Sequence, residues 1–411
     1  MLQGKKIGVF ITGGIASYKV AEFVRLLIKR GAHVRVAMSQ AATEFITPLT
    51  FQVLTKQAVL IDTFDEREPS LVQHVEFADW CDLAVVVPAT ANILAKMAHG
   101  LADEIVSTTL LAIHCPRLIV PAMNVNMYHN PATQRNIAQL QQDGYTLMEP
   151  DTGFLAEGYE GKGRLPELER IVEQAERLLA RHTLPQVLSG RRILITAGGT
   201  RERIDPVRYI TNDSSGKMGY ALAKAATWLG AASVQLISTA KQLPVPDQVT
   251  VDYVESAEAM QQAVGYYFDQ ADDVVMAAAV SDYRIANPSA HKIKKQPEQQ
   301  ELQLTLVENP DILAELGANK TTQTVIGFAA ETERVIEYAH KKLIKKQADW
   351  IVANDVSQAH AGFNVDTNQV TLLSKDGNLY PLPVMSKLET ALAIWQYIHP
   401  ETTEASYDTT S

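Results

Sequence analysis

Continuous apolar runs, each closed by a glycine turn and followed by an amphipathic stretch, recur along this chain. Residues 5–38 read KKIGVFITGGIASYKVAEFVRLLIKRGAHVRVAM, and residues 191–238 read RRILITAGGTRERIDPVRYITNDSSGKMGYALAKAATWLGAASVQLIS. Each opens with a basic pair and an apolar run, passes a Gly-Gly turn and an amphipathic helix, and ends in Gly-Ala and a valine-containing strand. That is a strand–glycine loop–helix–strand unit written twice, the signature of a doubly wound parallel sheet. Further apolar runs at 83–87, 118–120, 274–280, 324–328 and 350–353 are unbroken rather than alternating. This suits parallel strands covered on both faces. The pattern predicts an α/β protein of two doubly wound, Rossmann-like domains with mainly parallel sheets. It places the first at 1–181, ending in a helix over 167–181, a linker at 182–190 (HTLPQVLSG), and the second at 191–400. The polar, aperiodic residues 401–411 are expected to form a loose tail.

Length agrees with this division, since 411 residues exceed what one core usually organises. The formal net charge of −10 disfavours a non-specific nucleic-acid binder. Cys81 and Cys115 form no CxxC pair and no disulfide framework, which fits a reduced, cytoplasmic setting. The apolar run behind Lys5 and Lys6 is too short for a signal-peptide core, and no segment reaches the ~18 apolar residues of a membrane span. The histidines show no HxxxH or HExxH spacing, so no zinc site is expected.

A glycine turn between strand and helix can offer backbone N–H groups to a phosphate. Neither Gly13-Gly14-Ile15-Ala16-Ser17 nor Gly198-Gly199-Thr200 has the GxGxxG pattern, however. Ser214-Ser215-Gly216-Lys217 lacks the first glycine of a Walker A loop, Thr211 standing in its place. On the loops alone, phosphate binding and a plain tight turn are equally good readings. Likewise His74 taken alone reads as a structural histidine, and Lys292-Ile293-Lys294-Lys295 as a solvated loop.

The motifs taken together say more. GGIASYK, the His74 segment, PATANILAKMAHGLADE and PAMNVNMY, in that order over residues 1 to about 180, resemble the flavin-containing cysteine decarboxylase family. The resemblance implies a flavodoxin-like flavoprotein half, with FMN at the interface of a trimer. It assigns the FMN to Gly14, Ile15, Ala16, Ser17, Ser39, Thr90, Ala91, Asn92 and Met123. His74 and Asn124 take the catalytic positions. Imidazole suits proton transfer near neutrality, and an uncharged amide can hold a carboxylate without an ion pair that would retard its loss. Two positions depart from the family: Tyr128 replaces a tryptophan, and Glu157 stands where the family's substrate clamp carries a cysteine acid.

ITAGGTRERIDPVRYITNDSSGKMG, AAAVSDYR, KIKK, ENPDIL, GFAAET and ANDV, across 193–399, resemble the phosphopantothenate–cysteine ligase family. That resemblance implies a nucleotide-binding ligase half using CTP, with Mg2+ bridging the phosphates. Asn212 would stabilise an acyl-cytidylate, and Asp282 and Lys292 would bind the nucleotide. Met276, Ala277, Ala278, Pro310, Asp311, Ile312, Leu313 and Phe328 would line its site, with Lys342 and Lys346 adding positive charge. The expectation is a bifunctional coenzyme A biosynthesis enzyme. It would act on 4′-phosphopantothenate, cysteine and CTP, with no nucleic-acid or membrane partner, as a homo-oligomer built from trimers of one half and dimers of the other, together a dodecamer. The alternatives are a ligase whose flavin half is only a scaffold, motivated by Glu157, and a non-catalytic regulator.

Overall fold

The structure is a computed structural model and describes residues 1–65, 70–154, 158–294, 301–355, 357, 362 and 365–401. The chain divides into two compact units, Met1–Thr183 and Leu184–Ser411. In the first, strands β1 (Lys6–Ile11), β2 (His33–Met38), β3 (Leu83–Ala89), β4 (Arg117–Pro121) and β5 (Thr146–Leu147) form one sheet in the order β2-β1-β3-β4-β5. All four pairings are parallel. Every residue of β3 is buried, as its unbroken apolar run requires. Helix α1 (Val20–Lys29) turns Val20, Phe23, Val24 and Leu27 to the sheet at helical spacing. Each such burial is worth about 1.5–3 kcal/mol.

Helices α2 (Gln73–Trp80), α3 (Ala91–His99) and α4 (Leu168–Thr183) complete this frame. Thr90 caps α3 by accepting from the Ile93 N–H, and Gly100 ends it in the left-handed region. A hairpin, β6 (Asp151–Phe154) with β7 (Glu160–Arg164), stands apart from the sheet and is docked on the loop after β4. Its Gly163 carbonyl accepts from the Met123 N–H at 3.0 Å.

In the second unit, β8 (Arg192–Ala197), β9 (Ser233–Ser238), β10 (Val249–Tyr253), β11 (Asp273–Met276), β12 (Thr324–Glu331) and β13 (Trp350–Asp355) are parallel. Strands β14 (Val370–Ser374) and β15 (Leu379–Pro381) extend the sheet antiparallel, giving the order β10-β9-β8-β11-β12-β13-β14-β15. Among its helices are α5 (Lys217–Trp228), α6 (Ile312–Asn319), α7 (Val335–Lys345) and α8 (Lys387–Ile398). α5 and α8 pack on each other, with Trp395 Nε1 donating to the Leu222 carbonyl at 3.1 Å.

Three local expectations change. The apolar run at 274–280 leaves the sheet after Met276, because side chains capture its backbone. The Ala278 N–H donates to Thr196 Oγ1 at 3.1 Å and the Ser281 N–H to Thr200 Oγ1 at 2.9 Å. The second Gly-Gly turn does not lead straight into a helix either. A hairpin, Arg201–Arg203 with Tyr209–Thr211, intervenes before α5. Its turn is held by the Asp205 carboxylate, which accepts from the Val207 and Arg208 N–H groups and the Arg208 guanidinium. Residues 184–190 pack on the second unit rather than stand free. Leu188 is fully buried, its N–H donates to the Leu229 carbonyl, and Ser189 pairs with Ala231. The expectation for 401–411 falls, beyond Glu401, outside the described residues. Among the described residues no helix is long and apolar enough to cross a membrane.

Candidate active sites

Among the described residues each unit has a large cavity at the carboxyl ends of its parallel strands, where open α/β sheets hold ligands. In the first unit it measures about 870 Å³. Its floor is built by Thr12, directly after β1. The Thr12 hydroxyl donates to the Pro88 carbonyl at 2.6 Å and accepts from the Thr90 N–H at 3.1 Å, tying the ends of β1 and β3 together. Gly14, Ile15, Ala16, Ser39, Thr90, Ala91, Asn92 and Met123 line the space, as does Asn124. Ser17 does not line it. Its hydroxyl is buried in the turn, near the Thr12 carbonyl at 2.9 Å and the Gly14 carbonyl at 2.7 Å, so it shapes the loop from within.

Asn124 caps the short helix Val125–His129, its Oδ1 accepting from the Asn126 N–H at 2.8 Å. Its Nδ2 donates to the Tyr159 hydroxyl at 2.6 Å. Tyr159, on the approach to β7, is a site neighbour that residue-type reasoning missed. Its only sequence signal was its place two residues after the clamp position. Glu157 itself lies outside the described residues. Tyr128 is buried, and its ring lies under the Lys162 ammonium, 5.6 Å from the ring centroid.

His74 is not brought to this cavity within the chain. It sits in the first turn of α2 with Nδ1 buried and without a hydrogen-bond partner, beside exposed Leu71, Val72 and Val75.

The second cavity, about 920 Å³, has a different chemistry. Asn212, Met276, Ala277, Ala278, Asp282, Pro310, Asp311, Ile312, Leu313, Phe328, Lys342 and Lys346 all line it. Gly199 must be glycine here, because a Cβ would come within 2.6 Å of the Asn212 carbonyl oxygen. Asn212 Nδ2 donates to the Val280 carbonyl at 3.2 Å, so the captured run after β11 positions this amide. Asp311 caps α6 through the Ala314 N–H and forms an ion pair with Lys346. The Lys342 amine donates to the Phe328 carbonyl at 2.7 Å, and burial pushes its pKa down. Two buried polar atoms of the lining, Ser281 Oγ and Asn309 Oδ1, have no hydrogen-bond partner. Lys292 does not line the cavity. It is exposed on the loop that the Ile293 N–H anchors to Asp205 Oδ2 at 3.1 Å.

Cations not singled out from the sequence also reach this cavity. Lys217 stands at the first position of α5 and pairs with Asp366 at 2.6 Å. Lys387, at the start of α8, donates to the Val365 and Thr367 carbonyls at 2.5 and 3.0 Å. Burial and the nearby Lys217 charge lower its pKa. The SSGK run was the signal for Lys217, although its Walker A reading fails. Nothing local marked Lys387.

The two cavities define an α/β protein of two units, each with a ligand-sized site at the carboxyl ends of its parallel strands, the second lined by lysines. Residues 1–180 match the family described as Flavoprotein, and residues 188–401 the DNA/pantothenate metabolism flavoprotein C-terminal domain. The chain is 48% identical over 399 residues to the Coenzyme A biosynthesis bifunctional protein CoaBC of Bacillus subtilis (strain 168), covering 97% of both chains. Its counterpart in Escherichia coli (strain K12) is 45% identical over 379 residues, 92% of each. A crystal structure of the C-terminal domain of a Coenzyme A biosynthesis bifunctional protein CoaBC covers 52% of this chain and 96% of its own at 45% identity, with a TM-score of 0.45. This chain belongs to the family of bifunctional coenzyme A biosynthesis proteins.

Proposed function

We propose that the second unit ligates cysteine to 4′-phosphopantothenate at the expense of CTP, through an acyl-cytidylate, and that the first decarboxylates the product to 4′-phosphopantetheine with FMN. The observation that carries this reading is the contrast between the two cavities. One is walled by Ile15, Ala16, Ala91 and Met123 with the hydroxyls of Ser39 and Thr90, which fits a planar ring system bearing a phosphate. The other gathers Lys217, Lys342, Lys345, Lys346 and Lys387, as two mutually repelling polyanions require.

In the decarboxylase half, FMN when bound supplies the two-electron acceptor and donor. The chain's own part is positioning and proton transfer. Asn124, fixed by its cap and by Tyr159, offers an uncharged amide to the substrate carboxylate. His74 supplies proton transfer from a neighbouring copy, since within its own chain it does not line the cavity. The exposed Leu71, Val72 and Val75 beside it form the surface on which a trimer would close. Glu157 acts as acid in the reductive step. Glu157→Gln should then release a product lacking two hydrogens.

In the ligase half, Asp282 binds the nucleotide, Lys342 and Lys346 add positive charge for the triphosphate, and Asn212 stabilises the acyl-cytidylate; Lys292, exposed outside the cavity, would reach the nucleotide only by a movement of its loop. Mg2+, when bound with the nucleotide, would neutralise phosphate charge in this cavity. Among the described residues no group of three His, Cys, Asp or Glu stands ready to hold a metal ion. Trimers of one half and dimers of the other would build a cytoplasmic dodecamer. The test is to supply 4′-phosphopantothenate, cysteine and CTP and identify the products. CMP, pyrophosphate, CO2 and 4′-phosphopantetheine from a yellow protein are expected. CDP with inorganic phosphate would remove the acyl-cytidylate, and a colourless protein that takes up no FMN would remove the flavin.

A further inference from the structure

The two cysteines lie 34 positions apart in sequence, yet the sheet brings them together. Cys81 stands two residues before β3 and Cys115 two residues before β4. These strands are parallel neighbours, with Ala84 opposite Arg117 and the Ala84 N–H donating to the Pro116 carbonyl at 3.0 Å. Extended back, that register sets Cys115 opposite Asp82, one residue from Cys81; strands about 4.8 Å apart with a rise of about 3.3 Å per residue then put the two Cα atoms roughly 6 Å apart, inside the about 4.4–6.8 Å that a disulfide needs. Both side chains pack in one apolar cluster, Cys81 within it and Cys115 against its edge. Cys81 is buried and its thiol also reaches the Phe77 carbonyl at 3.2 Å, whereas Cys115 is partly open to solvent.

The two thiols are unequal in reactivity. The hydrogen bond from Cys81, with the Arg117 guanidinium close by, holds the Cys115 thiol below its ordinary range. The same bond and burial push the Cys81 thiol up. An accessible, thiolate-prone cysteine against a buried partner is the arrangement of an attacking and a resolving thiol.

We propose that Cys81 and Cys115 form a reversible intramolecular disulfide when the protein meets hydrogen peroxide. The Cys115 thiolate displaces one peroxide oxygen, which leaves as water after taking a proton, and becomes a sulfenic acid. Cys81 sulfur then attacks that sulfur. The S–S bond forms, the S–O bond breaks, and the hydroxyl leaves as water with the Cys81 proton. Two thiols are oxidised by two electrons and one peroxide is reduced to two waters. The bond lies under α2, since Cys81 is its C-terminal cap and sits seven residues beyond His74, on the same helical face. Oxidation therefore acts on the helix that carries this histidine.

The test treats the full-length purified protein with a small excess of hydrogen peroxide, blocks free thiols and maps peptides without reductant. The expected result is a cross-linked peptide pair containing Cys81 and Cys115, lost on adding dithiothreitol. In Cys81→Ser the intermediate should instead be trapped by a sulfenic-acid reagent at Cys115, and Cys115→Ser should give neither species. A wild-type protein that stops at sulfenic or sulfinic acid on Cys115, or that links only between chains, overturns the proposal. So does one in which both thiols stay free.

Discussion

The two cavities begin from nearly the same local sequence and end in different chemistry, the first mainly apolar with three cations and the second gathering five lysines. After β1, the chain goes from Gly13-Gly14 directly into a short 3-10 turn, Ile15–Lys19, so small and apolar side chains wall the cavity next to the strand ends, with Lys19, Lys96 and Arg164 further round it. After β8, the hairpin Arg201–Arg203/Tyr209–Thr211 is inserted and α5 starts only at Lys217. The space this opens is filled from the far side by α7 and α8, which carry Lys342 and Lys387. A shared strand–glycine–helix opening thus decides where a ligand sits. What the cavity accepts depends on how far the first helix is set back and on which later elements close over the gap.

That comparison is broken most severely by charge. Asn124→Asp keeps the cap on Val125–His129 and the contact with Tyr159, so the fold should stand. It places an anion beside the substrate carboxylate, a repulsion of about 3–4 kcal/mol at an effective dielectric near 20. Decarboxylation should fall by a hundredfold or more with ligation intact, as read by separate assays of CO2 and CMP. Equal loss of both would contradict the assignment.

The reciprocal change comes next. Lys342→Gln removes a half-buried cation whose amine now bonds the Phe328 carbonyl. A hydrogen bond to a charged group is worth about 2 kcal/mol, or about thirtyfold. Ligation should drop by that order while the flavin spectrum and decarboxylation of supplied phosphopantothenoylcysteine stay unchanged.

Smaller effects are expected from the turns themselves. Gly199→Ala drives a Cβ against the Asn212 carbonyl, and Gly13→Ala drives one to 2.5 Å from Ala41 Cβ. Overpacking of this kind costs about 1–3 kcal/mol. Each variant should lower the melting temperature by a few degrees. Gly199→Ala should raise KM for CTP without touching flavin retention, and Gly13→Ala should do the reverse.

The smallest effect is in pH. Burial lowers the Lys342 pKa, so the folded protein disfavours its charged form. The free protein therefore gains stability as pH rises through that lowered value. CTP, being anionic, binds the protonated lysine better. Its KM should therefore rise with pH from a lower point than an ordinary lysine would give, and this part of the profile should vanish in Lys342→Gln. A profile identical in the two proteins would show that Lys342 does not face the nucleotide.

Much of the frame was legible in the sequence because it is local. Unbroken apolar runs become strands buried on both faces, and helical spacing becomes α1 and α4. The run at 274–280 was over-read for a physical reason. Apolarity cannot tell a ladder from a loop that threonine hydroxyls hold in place, and Thr196 and Thr200 lie about eighty residues away. The antiparallel edge, β14 and β15, was not anticipated, since short edge strands have weak periodicity.

By itself, the order of residues determined the two α/β units, the glycine turns at the ends of β1 and β8, and the family motifs around them. Only the tertiary structure decided which cations converge. Lys217 and Lys387 are 170 positions apart and meet because α8, entered from the antiparallel edge of the sheet, packs on α5. It also decided that His74 stays out of its own chain's cavity, that Ser17 turns inward, and that Cys81 meets Cys115. Each of these depends on strand order and register, which no window of sequence contains.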